Sequence, residues 1–178
     1  MPRIPPVTPN ATPAASEPML DAIKARLGDV PNLMRTLAHA PAVLRGYLGF
    51  AQTLAGGSLS ARERELLALA VGQANQCDYC VAAHVAGAAN AGISDAEVAA
   101  ARRGEASDMR ENALLQLALA VARERGRVGD ATLALARSRG LNDTLLIEVV
   151  AQVALNVFTN SLNHLAQTEI DFAPAPAL

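Results

Sequence analysis

Apolar positions recur along this chain at helical spacing, and almost nowhere do they alternate in the two-residue rhythm of a half-buried strand. Proline and glycine punctuate the pattern. Pro18 opens a first helix that stops at Gly28, and Pro31 starts a short second one to about Ala38. Pro41 opens a third, carrying Val43, Leu44, Tyr47, Leu48, Gln52 and Leu54, which ends at Gly56-Gly57. Proline suits the first helical turn, where its missing N–H is no loss, and glycine suits the residue just past the end. Ser60-Ala-Arg-Glu63 is a capping box that starts a fourth helix. There Leu66, Leu67, Leu69, Ala70 and Val71 are apolar nearly all round, which places the helix in the core.

A fifth helix is expected from near Cys77 to about Ala91, with Asn75 or Gln76 as its cap and Gly92 as its stop. Ser94-Asp-Ala-Glu97 is a second capping box and opens a sixth helix ending near Gly104. Asp108 to Arg125, the short Asp130 to Arg139 and the long Asn142 to Glu169 complete an all-α bundle of about nine helices with short connections. Sliding the chain by 80 positions sets His84 on His164, Leu69 on Val149 and Ala74 on Ala154. This suggests an internal helical repeat whose last unit has lost its cysteines.

Residues 18–172 read as one helical domain. Residues 1–17 carry Pro2, Pro5, Pro6, Pro9 and Pro13 and read as an extended arm, either disordered or lying along a neighbouring subunit. Residues 173–178 are a Pro-punctuated tail.

Composition narrows the picture. About half of the 178 residues are apolar, yet there are only three Phe, two Tyr and no Trp. The core must be built from Ala, Leu and Val, and Ala lets helix backbones approach closely. The net charge is −2 and no run of Lys or Arg stands out, which argues against a nucleic-acid partner. No apolar stretch is expected to cross a bilayer, and the N-terminal stretch lacks the apolar region of a signal peptide. The expected setting is soluble and cytoplasmic, and two cysteines are too few for a secreted disulfide framework.

Candidate chemistry is concentrated between Glu65 and His84. Cys77 and Cys80 are three apart, and Cys80 and His84 are four apart, so on a helix all three share a face. A reversible disulfide is within reach of the two cysteines. Cys77 falls in the first turn, where free N–H groups and the helix dipole favour a thiolate. His84 can take a proton from Cys80, and Glu65, on the preceding helix among apolar neighbours, can orient the imidazole. Together they form a nucleophile, a base and an orienter. Such a thiolate attacks a peroxide O–O bond to give a sulfenic acid, which a second thiol converts to a disulfide without any cofactor.

Glu, eleven residues, Cys-x-x-Cys, three residues, His resembles the AhpD-like alkylhydroperoxidase family within the carboxymuconolactone decarboxylase superfamily. Val30-Pro-Asn-Leu-Met34, Ala88-Ala-Asn-Ala-Gly-Ile93 and Asn156-Val-Phe-Thr-Asn-Ser-Leu-Asn-His164 with Glu169-Ile-Asp171 are similar to that superfamily too. The resemblance covers roughly residues 30–172 and implies an all-α homo-oligomer, trimeric or hexameric, that reduces peroxides without a cofactor. It implies that Cys80 attacks the peroxide, Cys77 resolves the sulfenic acid, and Glu65 and His84 relay protons. A dithiol, or a lipoylated or thioredoxin-like protein, would be the reductant. Best-known members carry His between the cysteines, where this chain has Asp78-Tyr79.

Other readings use the same residues. A disulfide reductase or redox relay would serve a peroxiredoxin or a lipoylated protein. A lactone decarboxylase would need acid–base groups rather than thiols. Glu65, Cys77, Cys80 and His84 could instead ligate zinc in a helical assembly module, although three ligands from one helix stripe are unlike a structural zinc site. Elsewhere, His164 reads as a helix-interface histidine, His39 as a C-terminal helix cap and Glu148 as a solvated or interface carboxylate. Asn160 and Asn163 either satisfy buried backbone or face the site.

Overall fold

The computed structural model describes residues 1–178 as nine helices and a short helical turn at Pro9–Ala11. The helices are α1 (Glu17–Leu27), α2 (Asn32–Leu37), α3 (Pro41–Ala55), α4 (Ala61–Ala74), α5 (Asp78–Asn90), α6 (Asp95–Arg102), α7 (Met109–Glu124), α8 (Asp130–Ser138) and α9 (Asp143–Ala166). Their starts follow the caps. Ser60 and Ser94 each exchange bonds with the Glu three residues on, Asp108 accepts the N–H groups of Arg110 and Glu111, and Asn142 accepts that of Leu145. Each side chain satisfies donors that the first helical turn leaves unpaired.

Helix α4 is the hub and packs against α5, α6, α7 and α9. The larger core surrounds it, with Leu66, Leu67, Leu69, Val71, Leu114, Leu115, Leu141 and Val149 almost fully buried. Outside this core, Arg62 joins α4 to Glu97 of α6 and Glu111 of α7, at 2.5 and 2.7 Å. A second, smaller core is built by the N-terminal arm, α1 to α3 and the start of α5, and it contains Val7, Leu20, Leu33, Leu37, Leu44, Cys77, Tyr79 and Cys80.

The arm is extended, but it lies on its own chain. Arg3 N–H donates to Ala166 O at 2.7 Å, Val7 N–H donates to Arg35 O at 3.3 Å, and Val7 is buried. His39 does not cap its helix: its Nε2 is 2.9 Å from Pro5 O, so it fastens the arm. The tail is pinned as well, by Asn32 N–H on Asp171 Oδ2 at 2.6 Å and by Phe172 in the second core.

Three other expectations change. The repeat fails, because α9 runs unbroken through the positions matching the break between α4 and α5. A continuous helix cannot superpose on a helical hairpin. Helix α9 also stops at Ala166 rather than Glu169, with Gln167 left-handed and Thr168 N–H bonded to Asn163 O at 3.2 Å. By length and composition α9 is apolar enough to cross a membrane, contrary to the sequence expectation. In this fold it packs against α3, α4, α5 and α7, and buries Gln152, Asn156, Thr159, Asn160 and Asn163.

Glu148 is a loop clamp. Its carboxylate accepts the N–H groups of Ser58 at 2.8 Å and Leu59 at 2.9 Å. A side chain at Gly57 would stand 2.7 Å from Glu148 Oε2, so glycine makes room for the clamp. Burial disfavours the charge, but the Ser58 and Leu59 N–H groups outweigh it and hold the carboxyl below its ordinary range. A lowered folded-state pKa means that the stability is present above the unfolded value of 4.5 and is lost as pH falls through the folded one. Glu148→Gln should therefore cost about 1 kcal/mol at neutral pH. Its urea midpoint, followed as the pH is lowered to about 3, should fall less steeply than that of the parent.

Candidate active site

The site begins where α4 ends. Gln76 N–H bonds to Gln73 O at 3.0 Å and Cys77 N–H bonds to Gly72 O at 2.9 Å, with Gln76 left-handed at φ 57°. This is a Schellman stop with glutamine at the position that glycine usually holds. A residue with a side chain costs roughly 1–2 kcal/mol there. The next residue opens α5. Cys77, rather than Asn75 or Gln76, is the N-cap, and its Sγ accepts Cys80 N–H at 3.3 Å.

Cys77 and Cys80 are joined as a disulfide, with Cα atoms 5.3 Å apart. They are 2% and 4% exposed, so both sulfurs lie inside the second core. His84 follows one turn after Cys80 on the same helix, with its Nδ1 2.8 Å from Glu65 Oε2. A carboxylate only accepts, so Nδ1 carries the proton and Nε2 is left as the basic nitrogen. Glu65 is not the buried carboxylate expected: its side chain is 26% exposed and that of His84 31%. The acid–base pair thus stands at the surface and the sulfurs stand behind it. Gly87, the next residue of α5 on this face, lets the carboxylate in. A Cβ there would lie 2.9 Å from Glu65 Oε2.

Tyr79, between the cysteines, points away from this pair. Its hydroxyl accepts Leu33 N–H at 3.1 Å and its ring meets Phe172 edge-on at 5.6 Å. Burial and the Asp171 carboxylate push the phenol well above its ordinary range. Tyr79 therefore ties α5 to α2 and the tail as a neutral anchor. Asp78 is exposed at the first turn of α5, where it forms no ion pair.

Of two further contributors, Asn163 was left open by the sequence between satisfying buried backbone and facing the site, and Tyr47 was not identified. Asn163 on α9 places Nδ2 3.2 Å from Cys80 Sγ and 3.9 Å from Cys77 Sγ. Its neighbours fix α9 against the α4–α5 turn: Asn160 accepts Asn75 Nδ2 at 2.8 Å, and His164 Nε2 is 2.8 Å from Asn75 O. His164 is thus an interface histidine, as expected. Tyr47 of α3 is the other contributor. Burial, and then the nearby Glu65 charge, raise its phenol pKa. A polar residue on an apolar helix was the available signal for Asn163, but its partner lies 83 positions away in the chain. With the two cysteines joined as a disulfide, no group of three or more His, Cys, Asp or Glu side chains is assembled at metal-ligand spacing.

Comparison with known proteins bears on this geometry. The model of the carboxymuconolactone decarboxylase family matches residues 41–109, which include Glu65, Cys77, Cys80 and His84. The fold is similar to the alkylhydroperoxidase AhpD core of a peroxidase-related protein from Ralstonia eutropha JMP134. The TM-score is 0.86 and the identity 26%, over 96% of this chain and 92% of that one. The chain has an AhpD-like fold, and its residues 41–109 match the carboxymuconolactone decarboxylase family. A peroxidase-related protein from Silicibacter sp. TM1040 shares the fold at TM-score 0.81 and 23% identity, over 93% of this chain and 88% of that one. So does the debrominase Bmp8, at TM-score 0.78 and 21% identity, over 94% of this chain and 91% of that one. No curated protein matches the chain significantly.

In this AhpD-like protein the family match omits much of what encloses the sulfurs: the arm, α1, α2 and α9 all lie outside residues 41–109. The four motif residues come from one helical hairpin, and the rest of the chain forms their walls. Gly87→Ala tests the hairpin directly. Alanine is favoured over glycine in a helix by about 1 kcal/mol, so thermal stability should hold or rise. The displaced Glu65 should still lower any activity that depends on His84 by roughly tenfold or more. Melting curves and turnover on the same sample check both halves.

Proposed function

We propose that this AhpD-like protein is a cofactor-free thiol peroxidase for hydrogen or alkyl peroxides. One observation carries the reading: the Cys77–Cys80 disulfide sits one helical turn before a histidine held by a carboxylate at 2.8 Å. In the reduced enzyme, His84 Nε2 takes the Cys80 proton and Cys80 Sγ attacks the peroxide. An S–O bond forms, the O–O bond breaks, and the proton is handed to the departing alkoxide. Cys77 Sγ then attacks the sulfenic sulfur, expelling water and forming the disulfide. Glu65 keeps the imidazole in the tautomer that this relay needs and offsets its charge when protonated. A dithiol, or a lipoylated or thioredoxin-like protein of a reducing cytoplasm, closes the cycle.

Assembly into a homo-oligomer, a trimer or hexamer, is part of the reading. Ile147, Val150, Val157 and Phe158 of α9 and Val43 and Phe50 of α3 are large apolar side chains left exposed. Phe158 lies 6.1 Å from Tyr47, so this face runs up to the neighbourhood of Glu65. Burying such a face is the ordinary way to remove apolar surface from water.

A second reading is a disulfide reductase or relay for a peroxiredoxin or lipoylated partner, and the cleft that reaches Cys77 favours it. The two readings separate on substrate. A stoichiometric peroxide pulse on the reduced protein should remove two hydrogens, mapped by mass spectrometry to Cys77–Cys80. Cys80→Ser should abolish peroxide consumption with a dithiol reductant. Full wild-type turnover in that variant would exclude the mechanism, and oxidation only by a protein disulfide would favour the relay.

A further inference from the structure

On the Cys77 side of the disulfide, a cleft of about 270 Å³ opens between the start of α5 and the end of α9. Its wall includes Cys77, Asp78, Tyr79, Asn163, Gln167 and Thr168, but not Cys80, His84 or Glu65. Of the two cysteines, only Cys77 lines it. The acid–base pair stands instead at the next turns of α5, on the side where Glu65 packs against Gly87.

Asn163 stands in the cleft wall against the disulfide. It is 5% exposed, and its Nδ2 donates to Cys80 Sγ at 3.2 Å while its Oδ1 has no partner. Burying a half-satisfied amide costs free energy. The disulfide gives little back, because a bonded sulfur is a weak acceptor, whereas a thiolate is a strong one. The amide is therefore matched to the reduced state rather than to the disulfide. Asn160 and His164, bonded to Asn75 on either side of it, hold it in register.

We propose that this cleft is the entrance for the reducing thiol, and that Asn163 is a catalytic donor that stabilises Cys80 as the leaving thiolate. The proposal deepens the thiol-cycle reading above and rests on it. A thiolate of a dithiol attacks Cys77 Sγ along the cleft. The new S–S bond forms as the Cys77–Cys80 bond breaks, and the electron pair leaves on Cys80 Sγ, facing Asn163 Nδ2. The second thiol of the reductant then displaces Cys77 and carries away the cyclic disulfide. Two electrons pass to the protein, and the two protons of the dithiol reach Cys77 and Cys80 through solvent. The peroxide and the reductant thus approach the sulfur pair from different sides.

Dithiothreitol supplies a test that needs no peroxide. Reduction of the oxidised protein should slow by roughly tenfold or more in Asn163→Ala, as expected for one hydrogen bond to a charged group. In a Cys77→Ser background, where Cys80 is the lone thiol, the ultraviolet thiolate titration should move to higher pH when Asn163 is changed. A packing role alone would not move that midpoint. Asn163→Asp keeps the shape, removes the donor and adds a like charge, and should shift the midpoint further. It carries the test if the alanine variant loses its helical circular dichroism. When the oxidised protein is treated with a monothiol and quenched with acid, the trapped mixed disulfide should map by mass spectrometry to Cys77. Unchanged rate and midpoint in the folded variants would overturn the role of Asn163, and a mixed disulfide on Cys80 would overturn the entrance. A wild-type disulfide that dithiothreitol reduces but peroxide never reforms would remove the peroxidase reading and leave this one standing.

Discussion

The structure turns on the reversal between α4 and α5. Within three residues the chain ends one helix and begins the next, and Cys77 takes part in both events. Its N–H closes the end of α4 on Gly72 O, and its Sγ caps the start of α5. No spacer separates them, so the direction of α5 is set by the way α4 stops. That direction returns α5 alongside α4 and brings His84 beside Glu65. Lengthening the connection would keep both helices and both cysteines but would release the imidazole from its carboxylate. The left-handed Gln76 is the backbone conformation that makes so short a turn possible.

The rest of the molecule braces this turn from two sides. Helix α9 is apolar overall, yet where it passes the turn it carries Asn156, Asn160, Asn163 and His164. Asn160 and His164 engage Asn75, and Asn163 reaches the sulfurs. On the other side, Tyr79 reaches back to Leu33 N–H, and the arm seats Val7 in the same core as the cysteines. Buried hydrogen bonds fix the geometry, while the Leu- and Ala-rich core around α4 contributes most of the apolar burial. The division follows from chemistry: apolar contacts are non-directional, and a reactive pair of sulfurs needs direction.

The helices were legible because their ends are written locally. Ser60, Ser94, Asp108 and Asn142 cap as their residue types suggest, and the Glu, Cys-x-x-Cys, His spacing falls on one helical hairpin, α4 and α5. The failures share one cause, which is distance along the chain. Glu148 clamps a loop about 90 residues earlier, and Asn163 meets a cysteine 83 residues away. Neither partner can be read from a local pattern. The cap of α5 misled for a different reason: Asn75 is the preferred capping type, but the stop of α4 uses it as the last helical link and leaves the capping position to Cys77. The 80-residue resemblance misled because apolar helices align readily, whether or not a turn interrupts them.

Burial order within the site carries the remaining logic. The sulfurs are nearly inaccessible, while the acid–base pair is about one-quarter to one-third exposed. A site that only had to present a thiol to solvent would place them the other way round. In the proposed thiol cycle, keeping the sulfurs inside would exclude water from the electron-pair exchange and restrict partners to small molecules or thin extended groups. It also makes each thiolate costly, because a buried charge is unstable without donors. A Cys80 thiolate would therefore depend on the groups beside it, and Asn163 Nδ2 is one, 3.2 Å from its sulfur. The polar face of an otherwise apolar α9 divides accordingly: Asn163 alone reaches the sulfurs, while Asn160 and His164 hold Asn75 and so fix the turn that carries them.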